Sequence, residues 1–319
     1  MRNANALPQP RQPRSRWLLP ILVALAFLAL YATTVAPGIL PADSGEYQLA
    51  AATLGIAHPP GYPLYIMLGW VFTRLTPGDP AWGLNLLSTL LAAATLAVVV
   101  LGVQSLPLGA KTPVTRVVAP LAAALTLAGA TTFWAQATTA NIRSLVALFT
   151  ALLFWLGLRA LVRPIAARLA WLALITGLAL SHHGSLAFVA LPVWAAVGWA
   201  WLAERREGRA PCPNAGIVVL GMALLLVVGA IGLLPVLYLP LRGAPGVPPH
   251  PEALVGASAV LDHALARGFG GDMFAFARPT LLPDRLSILA DILDIQFGWL
   301  LVALAALGVV RVVLRGRVG

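Results

Sequence analysis

The sequence has few charged residues and almost no cysteine. Only 10% of its 319 residues are Asp, Glu, Lys or Arg, whereas 60% are hydrophobic and the mean hydropathy is +0.87. So few charges cannot cover the surface of a soluble domain, which excludes that class of protein. Cys212 is the single cysteine, so an internal disulfide and a cysteine-based metal site or redox pair are excluded as well. These features predict a multi-pass membrane protein.

The apolar runs predict an all-α, polytopic bundle of about eight transmembrane helices. The candidate spans are roughly residues 17–35, 82–106, 117–135, 140–158, 168–182, 185–203, 214–238 and 295–313. This arrangement places 15 of the 21 Lys and Arg residues in clusters on the cytoplasmic side, as the positive-inside rule requires. The net charge of +10 therefore reflects membrane orientation, and we expect membrane lipid but no nucleic acid as a partner.

The predicted topology divides the chain into a basic cytoplasmic tail, residues 1–16, and a transmembrane domain, residues 17–319, that begins with an uncleaved helix. Two large loops, 37–81 and 239–290, lie on the outer side. The first loop should contain two short helices, from Ser44 to about Gly55 and from Pro63 to about Leu75, separated by a stiff HPPGYP turn. The second helix is too short to span, so we predict an interfacial or re-entrant position for it.

One stretch of the first outer loop, Asp43 to Tyr65, reads DSGEYQLAAATLGIAHPPGYPLY. It contains two carboxylates, a histidine and three tyrosines in a chain with only 11 acidic residues. Its D-S-G-E and H-P-P-G-Y-P-L-Y segments resemble a family of multi-pass proteins similar to the protein O-mannosyltransferase-like members of the GT-C glycosyltransferase superfamily. That resemblance implies a GT-C-type bundle in which the first outer loop is helical.

The same resemblance implies an inverting glycosyltransferase on the outer face of a membrane, the plasma membrane in a bacterium. Such an enzyme moves a sugar from a polyprenyl-phosphate donor to an acceptor hydroxyl of a protein or glycan, as in protein O-mannosylation. The acidic residue after the first helix would be the general base, which implies Asp43, with Glu46 as the second candidate. Alternatively, Asp43 and Glu46 form a capping box at the start of the Ser44 helix. The absence of a P-loop or Rossmann pattern argues against a nucleotide-sugar donor.

Further motifs extend the resemblance and supply candidate substrate-binding residues. His58 lies in the HPPGYP turn, and His182 and His183 follow GLALS, where one of the two adjacent histidines should face the site. Arg143 lies where the family has a tyrosine. Two residues earlier, Asn141 lies where the family has an acidic residue. Arg143 either reaches the interface or contacts a phosphate. Arg242, in YLPLR, is either an interfacial anchor or a bidentate clamp on the donor phosphate.

Several alternatives remain open from the sequence. Tyr62 and Tyr65 are predicted to be interfacial anchors without a chemical role. A histidine together with Asp43 or Glu46 can hold a divalent metal, although no tight ligand spacing indicates one, and we predict no metal site. The chain can also be a transporter or flippase of a lipid-linked sugar, or a non-catalytic relative. A transporter should show internal repeats and mid-membrane charges, which the sequence does not show.

Overall fold

The computed structural model describes residues 14–106, 112, 114–209, 213–243, 253–269 and 278–316. The described residues form helices and connecting turns without a strand, which confirms the predicted all-α class. The α-helices are α1 (Leu18–Ala32), α2 (Ala42–Thr53), α3 (Pro63–Leu75), α4 (Pro80–Ser105), α5 (Ala119–Ala128), α6 (Thr131–Ala137), α7 (Arg143–Val162), α8 (Ala166–His182), α9 (Ala187–Arg206), α10 (Ala215–Gly232), α11 (Tyr238–Arg242), α12 (Gly256–Ala264) and α13 (Leu282–Gly316).

Five of the described helical segments are long and apolar enough to cross a membrane: Pro80–Ser105, Arg143–Val162, Gly184–Arg206, Ala215–Gly232 and Pro279–Arg311. Val114–Ala128 and Thr131–Ala137 together make a sixth if they form one span. The apolar helices α1 and α8 lie at two further predicted spans, but they have only 15 and 17 residues. Helices of that length rise about 22–26 Å, less than a hydrocarbon core of about 30 Å. The eight-span topology therefore stays a prediction.

Three predicted spans differ from the helices observed. The predicted span 117–135 is bent by 75° between α5 and α6, because Ala130 adopts an extended backbone after the helix ends at Gly129. The predicted span 214–238 ends at Gly232, before a 3₁₀ turn that begins with Leu234 and Pro235. The predicted span 295–313 is part of a longer helix, α13, which is interrupted at Gly298, where φ is 70°.

Helix α4 is the centre of the bundle and packs on both sides. Its N-terminal half contributes Leu84, Leu87 and Leu91 to a core shared with α2, α3 and α7. Its C-terminal half contributes Leu96 and Val100 to a second core formed with α1 and α5. Because α4 is apolar on all sides, it can be buried by both groups of helices, and this central position fixes where the first outer loop lies.

The first outer loop is helical, as the resemblance implies, with α2 and α3 close to their predicted positions. Helix α3 packs on α4: a Cβ added to Gly69 would lie 2.5 Å from the Leu84 side chain. The prediction that Tyr62 and Tyr65 are interfacial anchors is wrong. They are only 5% and 0% exposed. The Tyr65 hydroxyl lies 3.5 Å from the Ser88 hydroxyl of α4, and the Tyr62 ring packs against Tyr47 and His183.

Candidate functional site

A cavity of about 430 Å³ lies where three connecting segments meet. Its walls come from the start of α2 and the HPPGYP turn, from the connection between α6 and α7, and from the residues after α8. The lining residues are Asp43, Ser44, Tyr47, His58, Tyr62, Gln136, Thr139, Asn141, Ile142, Arg143, Val146, His183 and Ser185. Four of the seven site residues predicted from the sequence, Asp43, His58, Arg143 and His183, therefore lie around one cavity.

Asp43 lies in the first turn of α2 and is exposed to the cavity. The capping-box interpretation is wrong: the helix begins at Ala42, Pro41 occupies the N-cap position, and no side chain caps the helix. Among the described residues, no hydrogen bond or ion pair engages the Asp43 carboxylate. The N-terminal end of a helix favours a negative charge, and the exposed position leaves this carboxylate accessible to a substrate.

Glu46 does not turn back to the helix start but holds His58. One carboxylate oxygen accepts the His58 backbone N–H at 2.6 Å, and the other lies 2.6 Å from His58 Nδ1. Because a carboxylate oxygen is an acceptor, His58 Nδ1 is the donor of this pair, and Nε2 in that tautomer is a hydrogen-bond acceptor. Nε2 lies 3.4 Å from the Tyr47 hydroxyl and 3.5 Å from the Tyr62 hydroxyl. Glu46 therefore fixes both the position and the tautomer of His58.

Tyr47 and Tyr62 remain neutral phenols beside the carboxylates. Burial raises the pKa of Tyr47, and the negative charges of Asp43 and Glu46 raise it further. Burial also raises the pKa of Tyr62, although the positive charge of Arg143 acts in the opposite direction. Both hydroxyls therefore keep their protons at neutral pH and can donate hydrogen bonds.

Two further residues that line the cavity, Arg143 and His183, can donate hydrogen bonds to a ligand. Arg143 is the first residue of α7 and is exposed. His183 stacks on the Tyr62 ring, with the ring centres 6.0 Å apart, and its Nδ1 accepts the Ser185 backbone N–H at 3.1 Å. Burial lowers the pKa of His183, and the charge of Arg143 lowers it further, so this imidazole is neutral at pH 7.

Asn141, which departs from the acidic residue of the family pattern, has a local structural role. Its amide nitrogen donates to the carbonyls of Gln136 and Thr139, each at 2.6 Å, and its oxygen accepts the Ser144 backbone N–H at 3.0 Å. The side chain is only 5% exposed. These contacts shape the connection between α6 and α7 and place Arg143 at the cavity.

Three predicted site residues do not line the cavity: Glu46, which holds His58, and also His182 and Arg242. His182 is fully buried, and its Nε2 lies 3.1 Å from the Ile142 carbonyl, so it packs behind the wall that Arg143 belongs to. Of the two adjacent histidines, His183 faces the cavity. Arg242 reaches the end of α2, where its Nε donates to the Leu54 carbonyl at 2.8 Å. Its guanidinium therefore binds backbone carbonyls of the protein at the end of α2.

Two buried amides, Gln48 and Asn85, join the walls of the cavity and were not predicted from the sequence. Gln48 Nε2 donates to Asn85 Oδ1 at 2.9 Å, and the same oxygen accepts the Ala140 backbone N–H at 2.9 Å. Asn85 Nδ2 donates to the carbonyls of Ala36 and Gly38. The pair therefore links the segment before Asp43 to the segment before Arg143. An amide inside the apolar α4 was the signal that could have revealed it, because buried amides require partners.

The first outer loop also contains a group of possible metal ligands. Asp43, Glu46 and His58 each offer one ligand atom, and these atoms lie within 4.8 Å of one another. Carboxylate and imidazole ligands suit Mn²⁺ or Zn²⁺. The spacing along the sequence did not indicate this group, because the turn after α2 brings His58 back against a helix face 12 residues earlier in the chain.

Comparisons with known proteins identify relatives of this chain. The chain is 32% identical over 76 residues to the Protein O-mannosyl-transferase tmem260 of Dictyostelium discoideum. This match covers 23% of the chain and 9% of that protein. It is also 43% identical over 82 residues to the Protein O-mannosyl-transferase TMEM260 of Mus musculus. That match covers 25% of the chain and 12% of the mouse protein. The matched regions thus span about a tenth of these relatives.

No solved structure matches the chain. A family model described as the Protein O-mannosyl-transferase TMEM260 N-terminal domain matches residues 43–206, just over half of the 319-residue chain. The matched region begins at Asp43 and contains all the residues that line the cavity. The chain therefore belongs to the family defined by the Protein O-mannosyl-transferase TMEM260 N-terminal domain.

Proposed function

We propose that the chain is an inverting membrane glycosyltransferase that moves mannose from a polyprenyl-phosphate donor to a hydroxyl group of a protein on the outer face of the membrane. The observation that carries this proposal is the cavity in which Asp43, a carboxylate with no hydrogen-bond or ion-pair partner among the described residues, and Arg143, a cation at a helix start, line the same space. Family membership and the names of the relatives support the choice of sugar and acceptor.

In the proposed reaction, Asp43 is the general base. It takes the proton of the acceptor hydroxyl while that oxygen forms a bond to the anomeric carbon of the sugar. The bond between the anomeric carbon and the phosphate oxygen breaks, and the polyprenyl phosphate leaves with the electron pair. Attack from the side opposite the phosphate inverts the anomeric configuration. Asp43 suits this role better than Glu46, because both Glu46 oxygens already hold His58.

Arg143 is the proposed contact for the donor phosphate. A guanidinium makes charge-assisted, bidentate hydrogen bonds to phosphate oxygens. It lies at the start of the 20-residue helix α7, where the helix dipole also favours an anion. As the phosphate leaves, its negative charge grows, so this contact strengthens during the reaction. The neutral His183, beside Arg143, adds a hydrogen-bond donor through Nε2, since its Nδ1 is occupied as an acceptor.

Asn141 bears on whether the chain is a non-catalytic relative. The proposal does not require an acidic residue at position 141, because Asp43 supplies the base and Arg143 supplies the phosphate contact from the same cavity. The three hydrogen bonds of Asn141 stabilise the connection between α6 and α7, and this structural role of the amide does not depend on catalysis. This arrangement favours an active enzyme.

Direct product analysis tests the proposed function. Purified protein in lipid nanodiscs is given polyprenyl-phosphate mannose and an acceptor peptide, and the peptide is examined by mass spectrometry for one added hexose. A parallel sample in liposomes carries a fluorescent lipid-linked sugar to detect movement across the membrane. Hexose transfer supports the proposal. Movement of the lipid-linked sugar without transfer would identify a flippase and contradict the proposal.

A further inference from the structure

Part of the second outer loop packs on the turn that precedes His58. This turn, residues 54–57, connects the end of α2 to the HPPGYP segment. Arg242 Nε donates to the Leu54 carbonyl at 2.8 Å, and its NH2 lies 3.4 Å from the Thr53 carbonyl. The last carbonyls of a helix have no partner within the helix, and a cation at that end is favoured by the helix dipole. Arg242 thus satisfies the C-terminal end of α2.

Two more side chains make the same kind of contact. The Tyr238 hydroxyl donates to the Gly55 carbonyl at 2.5 Å, and His263 Nε2 donates to the Ala57 carbonyl at 3.0 Å. Tyr238 and His263 are only 7% and 5% exposed. Their donors therefore satisfy buried carbonyls that water cannot reach, and such contacts are costly to lose.

The packing at this point is close as well as polar. Gly61 has φ +82°, and a Cβ added to it would lie 2.7 Å from the Leu239 side chain and 3.1 Å from His263 Nε2. The HPPGYP turn therefore fits against Leu239 and His263, with no room for a larger residue at Gly61. Residues 238–263 lie outside the 43–206 region that the family model matches.

We propose that Tyr238, Arg242 and His263 are positioning residues that hold the 54–57 turn, and with it His58, against the cavity. This inference rests on the proposed function, because it assigns these three side chains to the same site without giving them contact with the substrate. His58 follows the turn directly, and its backbone N–H and imidazole are both held by Glu46 on α2. A turn that moves away from α2 would break both hydrogen bonds.

The inference differs in a measurable way from an Arg242 clamp on the donor phosphate. A phosphate clamp touches the donor, so its loss raises the donor KM. A positioning residue acts through the geometry of other groups, so its loss lowers kcat and leaves the donor KM unchanged. A displacement of about 1 Å that starts far from the reacting atoms can cost up to about 100-fold in rate, which sets the upper limit of the expected effect. Here the displacement would reach Asp43 through α2, whose C-terminal end Arg242 holds.

The first measurement is hydrogen–deuterium exchange on the full chain in nanodiscs, without substrate. Arg242→Gln and, as a milder change, Tyr238→Phe should make the amides of residues 53–61 exchange about fivefold faster, with no change in α7 or α8. Arg267→Gln is the matched control, because Arg267 belongs to the same loop but pairs with Asp262 on the surface. Unchanged exchange at 53–61 in both test variants would overturn the inference.

The second measurement is the transfer kinetics of the same variants with polyprenyl-phosphate mannose. We expect kcat to fall by about 10-fold to 100-fold in Arg242→Gln with an unchanged donor KM, and Arg242→Lys to recover part of it, since Lys can still donate to a carbonyl. A raised donor KM with unchanged kcat, or faster exchange with normal kcat, would overturn the inference. Absence of transfer by the unmodified chain would contradict the proposed function, whereas the exchange measurement would still test the three contacts.

Discussion

Arg143, which stands where the family has a tyrosine, is the residue proposed to contact the donor phosphate. It lines the cavity with Asp43 and influences both Tyr62 and His183 electrostatically. We predict that Arg143→Gln raises the donor KM and also lowers kcat, so that kcat/KM for the donor falls by about 10-fold to 100-fold, the equivalent of losing a charge-assisted hydrogen bond of about 1.5–3 kcal/mol. Donor titrations with purified protein measure this effect.

The control for that prediction is Arg74→Gln. Arg74 lies on the same predicted side of the membrane but stacks over the Trp70 ring at 5.2 Å, and it does not line the cavity. Removal of its charge should leave the donor KM unchanged. An equal rise in KM in both variants would indicate a general effect of net charge on donor binding and would remove the specific role of Arg143.

At the scale of single residues, the sequence predicted the residues that line the cavity better than the residues that hold the cavity walls in place. Asp43, His58, Arg143 and His183 belong to recognisable motifs, and the structure brings them to one cavity. Arg242 also belongs to a motif, but its partners are backbone carbonyls, which no side-chain pattern reveals. Long-range contacts of this kind depend on how helices pack and cannot be read from local spacing.

At the scale of elements, the buried Gln48–Asn85 pair connects α2, α4 and the segment before α7. We predict that Asn85→Leu destabilises the protein by about 1–3 kcal/mol for each buried partner left without a hydrogen bond, and lowers transfer because the cavity walls separate. Thermal unfolding in detergent and transfer assays measure the two effects.

Thr95→Val is the matched control for Asn85→Leu. Thr95 is also buried in α4, but its hydroxyl bonds to the Leu91 carbonyl within the same helix. Its replacement should be nearly silent in transfer, since no second element loses a contact. If Asn85→Leu is equally silent, the amide pair does not hold the cavity walls together.

The packing of α8 on α10 gives a second prediction at this scale. A Cβ added to Gly177 would lie 2.0 Å from the Gly229 carbonyl oxygen, so the two backbones touch. We predict that Gly177→Val destabilises the bundle by about 1–3 kcal/mol, because the helices must separate. Gly221→Ala, in α10, has open space around the added methyl group and should not destabilise. Thermal unfolding of the two variants compares them directly, and equal stability would show that the close contact is not required.

The sequence predicted where helices occur more reliably than where they bend. Apolar length alone indicated helices at each candidate span, because that signal is local. The 75° bend between α5 and α6 and the interruption at Gly298 were not predicted, since both depend on backbone conformations that neighbouring elements select. The close approach of Gly177 to Gly229 is a further property of packing rather than of local pattern.

At the scale of the whole molecule, the predicted topology places the cavity on the side opposite the basic clusters. In a background with Cys212→Ser, a cysteine at Ser185 should react with a membrane-impermeant thiol reagent added to intact cells, and a cysteine at Thr112 should not. Both positions are exposed on the protein, so a difference between them reports the membrane side rather than burial. Labelling of Thr112 from outside would contradict the predicted orientation and the outer location of the site.

The central claim is that Asp43 is the general base of a glycosyl transfer in this cavity, and one substitution tests it most directly. Asp43→Asn keeps the size of the side chain and removes its basicity, so turnover should fall by about 10² to 10⁴, the usual contribution of a positioned base. Stability should change little, because the carboxylate makes no hydrogen bond to the described residues. Asp79→Asn is the control, since Asp79 caps α4 and Asn is an equally good cap. Sugar transfer and thermal stability of both variants are measured together. Near-normal transfer by Asp43→Asn would contradict the account.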